Sequence, residues 1–422
     1  MAGPLIFANI SVPLLGAVDT AVVGHLPQIY YIGAVAIGAM LYTYIHHLFN
    51  CLRMGTTGPT AQARGAGDYA EVRALIGRAL LLAGAIGGAL VVLQLPILAF
   101  AFWLIDASPE VEHYAREYFL IRIWSMPAAL AGYAIIGWYY GLRDARTPLI
   151  VQIVANALNI GLDFLFVFGF GWGVAGVAAA SVIASCAGLL LGLWCVWRTL
   201  RRLPGSGHAR LLDRARLARM VSINGDLVLR TFCVVSVLGL FMAKSAELGD
   251  LTLAANQVLH NFLMFTSFGL DAFAHAAEAI LGEAIGKRDR PAFQRAKRVV
   301  FLWAVIVGLL NMLLYAVAGH GIIALLTGIA DVRAAAGHWL PWVVLLPLVS
   351  LWAYTYDGVY LAAIRTTAMR NTVIISFAAY VALLYALVPA YGNAGLWIAL
   401  AAFLALRGIL LHLLFPALLR AI

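Results

Sequence analysis

From Phe164 to Trp197, and again from Asn371 to Leu406, the chain carries no Asp, Glu, Lys or Arg. One crossing of a bilayer's hydrocarbon core takes about 20 apolar residues, so each run is long enough for two. Each run also contains a turn-forming break, Gly169-Phe170-Gly171-Trp172-Gly173 in the first and Pro389-Ala390-Tyr391-Gly392-Asn393 in the second. Glycine and proline punctuation of this kind makes each run a tight helical hairpin. Ala79–Ile105 and Val299–Ala330 are uncharged as well and extend the same reading. Only 11% of the residues are charged and 64% are hydrophobic, against about 25% charged in an ordinary soluble domain. The chain is therefore an all-α polytopic membrane protein.

Twelve spans are expected, at 5–26, 31–58, 76–105, 117–141, 147–169, 173–197, 217–243, 251–283, 297–327, 334–363, 372–390 and 394–419. The first carries Asp19 and lacks a basic leader, so it reads as a membrane helix rather than a signal peptide. Net charge is +9, but most of the 28 Lys and Arg fall in the even-to-odd connections and at the C-terminus. That bias places both termini in the cytoplasm. It also accounts for the basic excess without nucleic acid. Arg116, Arg122, Lys244 and Arg333 are read as flanks of the opposite face, while Arg53, Arg230 and Arg407 fall within spans.

The chain repeats weakly at an offset of 221 residues. Gly65 and Asp68 answer Gly286 and Asp289, Gly137 and Tyr139 answer Gly358 and Tyr360, and Gly171 answers Gly392. Arg143 answers Arg365 after a one-residue slip. Six helices per repeat give two lobes of like orientation, related by a pseudo-twofold axis along the membrane normal. The expected organisation is an N-lobe at 1–198, a basic cytoplasmic linker at 199–216 and a C-lobe at 217–422.

Ionisable side chains inside spans are costly in lipid and mark functional sites by default. Asp19 lies roughly 20 Å from the inner end of the first helix, and Asp163 about 24 Å from the inner end of the fifth, so the two acids share a level. Pro13 makes the first helix bendable. Asn156, Asn159 and Asp163 follow i, i+3, i+7 spacing on one face, and Ser181 falls near the same depth. The group reads as a proton or cation site in the outer half of the N-lobe. The alternative is a set of buried polar residues tying helices together.

The C-lobe does not repeat this pattern, because Asn159 and Asp163 correspond to Tyr380 and Leu384. It carries instead Asp226 and Arg230 at i, i+4, a stripe of Asp271, His275 and Glu278, and Asp357. Asp226 and Arg230 are expected to pair on one helix, as a structural link or inner gate. The others would complete a polar network in which His275 could titrate near neutral pH. His46-His47 reads as cavity or interface lining, since no acid or cysteine sits at metal spacing. Gly55-Thr56-Thr57-Gly58 lacks the lysine of a phosphate loop, and the sequence shows no recognisable catalytic triad. An ion gradient is the expected energy source, with no cofactor and no metal beyond Na+.

The run Pro13-Leu14-Leu15-Gly16-Ala17-Val18-Asp19-Thr20-Ala21-Val22-Val23-Gly24-His25-Leu26 resembles the first helix of multidrug and toxic compound extrusion (MATE) transporters. Arg53-Met54-Gly55-Thr56-Thr57-Gly58-Pro59, Leu158-Asn159-Ile160-Gly161-Leu162-Asp163 and Met369-Arg370-Asn371 are similar to the DNA-damage-inducible F (DinF) subfamily. The resemblance implies an antiporter that exports cationic or amphipathic compounds in exchange for inward H+ or Na+, by alternating access. It implies an ion site at Asp19, Asn159, Asp163 and Ser181, where relatives carry Thr at the last position. Another branch of the family places its cation site in the C-lobe, for which Asp357 is the counterpart. The rival reading is a flippase for a lipid-linked substrate, whose cavity should hold several cations. Membrane lipids and small amphipathic cations are the expected partners of a chain working as a monomer.

Overall fold

A computed structural model of the chain describes residues 29–105, 108–204 and 211–420. The first span, with Pro13 and Asp19, lies outside the described residues. Two compact units emerge, Gly3–Val221 and Ser222–Ile422. The first contains α1 (Ile29–Leu48), α2 (Cys51–Gly65), α3 (Tyr69–Val92), α4 (Gln94–Leu104), α5 (Pro109–Arg122), α6 (Met126–Gly141), α7 (Arg146–Phe164) and α8 (Gly173–Arg202). Helix α9 (Arg214–Glu247) begins in the first unit and continues into the second. The second unit adds α10 (Asp250–Gly286), α11 (Arg290–Leu326), α12 (Ala330–Ala362), α13 (Thr366–Tyr391) and α14 (Asn393–Arg420).

Ten helical segments among the described residues are long and apolar enough to cross a membrane. α10 is more polar, but its His275 and Glu278 are buried, which spares lipid their desolvation cost. Residues such as Trp103, Val317 and Leu325 are exposed, as expected of helices whose outer faces meet hydrocarbon instead of water. Three expected spans are subdivided, the fourth of the chain by the short turn Ile123–Ser125. The second breaks at Phe49-Asn50, and the third starts at Tyr69 and restarts at Gln94. Pro96 explains the latter break, because it has no N–H to give Val92. Pro389 sits inside the last turn of α13 rather than in the following connection.

Side-chain caps punctuate the helix starts. Asp68 accepts from Glu71 N at 2.9 Å and Asp289 from Ala292 N at 2.8 Å, each satisfying an N–H that the first turn leaves open. Asp144 accepts from the backbone N–H groups of Arg146 and Thr147 at the start of α7. Asp213 does the same for Ala215 and Arg216 ahead of α9. The Arg216 N–H is the main reason that the exposed Asp213 carboxyl is held below its ordinary range.

The 221-residue repeat is written into the backbone. Gly67 and Arg288 both take positive φ, 74° and 56°, as do Gly171 and Gly392, 69° and 55°. Asp68 N donates to Ala63 O, and Asp289 N to Ala284 O; Asp144 N donates to Tyr139 O, and Arg365 N to Tyr360 O. The backbone corrects one equivalence. Arg143, at φ 61°, corresponds to Ile364, at φ 55°, with no slip. A β-branched residue in that region stores strain of about 1–2 kcal/mol.

The strongest repeat signal marks two helix crossings. A Cβ on Gly137 would lie 2.3 Å from Arg53 O, and one on Gly358 would lie 2.6 Å from Ala274 O. These are the contacts of α6 with α2 and of α12 with α10. Backbone cannot yield as a side chain can, so Gly137→Ala and Gly358→Ala should each cost about 1–3 kcal/mol. Gly132, also on α6, has nothing within 4 Å of its Cβ position, and Gly132→Ala should be neutral or slightly stabilising. Thermal unfolding in detergent compares the three.

Candidate functional site

Asn159 and Asp163 stand one turn apart on α7, 2% and 0% exposed. The Asn159 amide Nδ2 donates to Ser181 Oγ on α8 at 3.3 Å, which joins two of the three described candidates by hydrogen bond. Asn159 Oδ1 is buried with no hydrogen-bond partner among the described residues. It is an acceptor for the proton of a carboxylic acid or for a sodium ion. Asn156 lies one turn earlier on the same helix. It is half-buried and its Oδ1 accepts from Gln152 Nε2 at 3.3 Å. Just beyond Asp163, α7 widens into one π-helical turn, Leu165–Gly169. Such turns are frequent at functional sites, and apolar periodicity does not reveal them.

A second polar group adjoins this one in the same unit. Ser185 Oγ, one turn after Ser181, donates to Ser181 O at 2.7 Å. Arg122 donates to Ser185 Oγ at 3.5 Å and to Ser125 Oγ at 2.5 Å. Its guanidinium lies over the Tyr42 ring, 4.1 Å from the centroid, and the Tyr42 hydroxyl meets Ser125 Oγ at 2.9 Å. His46 stacks on Tyr133 with ring centroids 4.3 Å apart. These contacts turn Arg122 toward α1 and α8 of its own unit. Helices α5 and α6, joined by the short turn Ile123–Ser125, form one span from Pro109 to Gly141, and Arg122 lies about 20 Å along it.

In the second unit, the expected pairing of Asp226 with Arg230 is replaced by two separate links. Asp226 accepts from Thr366 and Thr367 hydroxyls, each at 2.9 Å, and from Arg370 at 2.7 Å. It fastens α9 to the start of α13. Arg230 instead pairs with Asp357 on α12, and Arg407 on α14 donates to the same Asp357 Oδ2 at 2.8 Å. All three side chains are buried. The reason is electrostatic: a guanidinium buried on α9 needs a buried carboxylate, whereas Asp226 lies beside a hydroxyl-rich helix start. Arg407 was the missed residue. Fourteen positions into α14, it sits about 21 Å along that helix, a depth that itself demanded an acid partner.

Tyr354 lies within electrostatic reach of Asp271, Asp357 and Arg407 and shares a 2.6 Å hydrogen bond with Ser267. His275 and Glu278, on α10 with Asp271, are both buried. The buried C-lobe charges thus come from α9, α10, α12 and α14. No group of three or more His, Cys, Asp or Glu suited to a metal ion occurs among the described residues.

At the start of α3, Glu71 holds Arg78 at 2.7 Å and also pairs with Arg216. Arg78 further donates to Leu211 O at 3.2 Å, and Arg73 caps the end of α8 through Leu200 O and Leu203 O. The described ends of the basic linker are tied to the first unit by these contacts.

Comparison with known proteins agrees with this architecture. The MatE family profile matches residues 4–165 and 227–387. The chain belongs to the MatE family. It is 40% identical over 410 residues to DNA damage-inducible protein F of Escherichia coli (strain K12), covering 97% of this chain and 89% of that one. It is 21% identical to the probable multidrug resistance protein NorM of Acinetobacter baylyi, covering 97% of this chain and 92% of the relative. The fold superposes on a crystal structure of MATE in the bent conformation with a TM-score of 0.89 at 18% identity, over 100% of this chain and 95% of that chain. A profile for the lipid II flippase MurJ also matches residues 119–247. As a MatE protein with the two-lobe helical fold, the chain is a multi-pass membrane transporter and not an enzyme.

Proposed function

We propose that the chain exports cationic or amphipathic organic compounds in exchange for inward H+ or Na+, and that the N-lobe acids carry the coupling. The observation that carries this reading is Asp163 at 0% exposure, one turn from an Asn159 whose Oδ1 is an open acceptor. A fully buried carboxyl on a membrane helix is by default a site for a proton or a cation. Asp19, on the bendable first helix, is the proposed second acid, and Ser181 orients the Asn159 amide.

In this mechanism an ion enters from the outside and neutralises the Asp19–Asp163 group. The hydrogen bonds of Asn159 and Ser181 then rearrange, the helix carrying Pro13 bends, and the organic cation leaves outward. The ion departs once the site opens to the cytoplasm. Its only leverage is its difference in affinity between the two states. Both termini lie in the cytoplasm, and one chain suffices.

Asp357 is a poor cation site by comparison, because two guanidinium groups already hold its Oδ2. The C-lobe network is assigned to holding α9, α12 and α14 in register.

The MurJ profile match over residues 119–247 favours a second reading, movement of a lipid with an anionic headgroup. Arg230 and Arg407 would be its cations, but both are committed to Asp357. Proteoliposome flux decides between the two. A fluorescent organic cation should move under an imposed proton or sodium gradient, and a headgroup-labelled lipid should not. Gradient-independent lipid movement with no cation flux would overturn the exporter reading.

A further inference from the structure

The ion site proposed above has acids and amides, but the same unit also holds a cation that the coupling scheme leaves without work. Arg122 reaches across from the end of α5 to Ser185 Oγ on α8. Ser185 in turn donates to the carbonyl of Ser181, whose hydroxyl accepts from Asn159. A short polar path therefore leads from the guanidinium to the amide beside Asp163.

Three further contacts hold the cation in place. Ser125 Oγ accepts from Arg122 at 2.5 Å, the Tyr42 ring lies beneath the guanidinium at 4.1 Å, and the Tyr42 hydroxyl closes the loop onto Ser125. Cation–π and hydroxyl contacts leave the positive charge intact while fixing its position. Arg, unlike Lys, stays charged at any working pH.

We infer that Arg122 is a fixed counter-cation for the N-lobe ion site, a positioning residue that sets the pH at which the site gives up its proton. This rests on the coupling role proposed for Asp163. The path crosses two helical turns, Ser185 to Ser181 and Asn159 to Asp163; a fixed cation at that remove favours carboxylate over carboxylic acid, because in the lobe interior its influence reaches roughly 10 Å at an effective dielectric near 20. Without it the site would keep its proton too far into the alkaline range and release it poorly to the cytoplasm. For a sodium-driven cycle the same charge weakens sodium binding and hastens its release.

The charged and titratable groups around this position come from several helices. α8 supplies Ser181 and Ser185 and, at its exposed face, the Cys186 thiol. α1 brings Tyr42, His46 and His47, and both Arg122 and His47 act electrostatically on His46. α6 brings Tyr133, on which Arg53 and Cys51 of α2 act in turn. Asp19 belongs to the first helix, outside the described residues.

The test is a pH profile of gradient-driven organic-cation efflux in proteoliposomes, with Arg122→Gln, Arg122→Lys, Ser185→Ala and Asp163→Asn side by side. Arg122→Gln is expected to move the midpoint upward by about one pH unit, and Arg122→Lys to return it towards the native value. Ser185→Ala, which keeps the charge and cuts its tether, should move it the same way by less. It carries the test if Arg122→Gln does not reach the membrane. An unmoved midpoint, or an equal loss of rate at every pH, overturns the inference. If Asp163→Asn itself retains gradient-driven efflux, the coupling role has failed. If it abolishes efflux while the midpoints of the Arg122 variants stay put, only the counter-cation has failed.

Discussion

Asp163→Asn is expected to make the affinity for an organic cation independent of the coupling ion. Linkage requires that an ion which expels the cargo also binds less well when the cargo is present, and coupling of this kind is typically about 1–3 kcal/mol, or roughly 5–150-fold in affinity. In the native chain, cargo affinity in detergent should therefore change several-fold or more with pH or with sodium. In Asp163→Asn it should stay flat. The amide keeps the shape of the fully buried side chain but can neither lose a proton nor offer a negative charge to sodium. Asn159→Ala should give an intermediate slope, because Ser181 then loses its amide partner while the carboxyl remains. Fluorescence titration of a cationic dye against pH, and separately against sodium, measures all three.

The largest effect on stability is expected in the C-lobe. Asp357→Ala removes the carboxylate shared by Arg230 and Arg407 and leaves two guanidinium groups buried without it. Breaking a buried ion pair by deleting one partner costs about 3–5 kcal/mol. Most of that is the penalty of the stranded charge. Replacing the whole triad with Arg230→Met, Arg407→Met and Asp357→Leu should restore stability to within about 1 kcal/mol, since none of the three charges is then left stranded. Thermal unfolding in detergent reads both. If Asp357→Ala melts like the native chain, the triad does not hold the C-lobe together.

Much of the fold was legible because lipid allows few solutions. Uncharged runs such as Phe164–Trp197 had to be helices, and the glycine-bearing turns at Gly171 and Gly392 had to divide them. The repeat was legible through its glycines because Gly137 and Gly358 answer to the same close crossing. Its register at Arg143 was misread, since the quantity that repeats there is a positive φ, shared with Ile364, and not an arginine. The depth of Asp163 followed from counting residues along one helix. The partners of Asp226 and Arg230 did not, because spacing along a helix says nothing about which neighbouring helix offers a better counter-charge. Arg122 and Arg407 were obscured for a related reason. Arg122 was weighed as a topology signal and Arg407 was only placed within a span, whereas their partners Ser185 and Asp357 come from helices distant in sequence.

The central claim, that the N-lobe acids couple an ion gradient to export, is tested most directly by gradient-driven efflux of a fluorescent organic cation from proteoliposomes. A proton gradient and a sodium gradient are imposed in turn on the native chain and on Asp163→Asn. The native chain should respond to at least one of them, and Asp163→Asn to neither. If Asp163→Asn responds as the native chain does, the coupling site lies elsewhere.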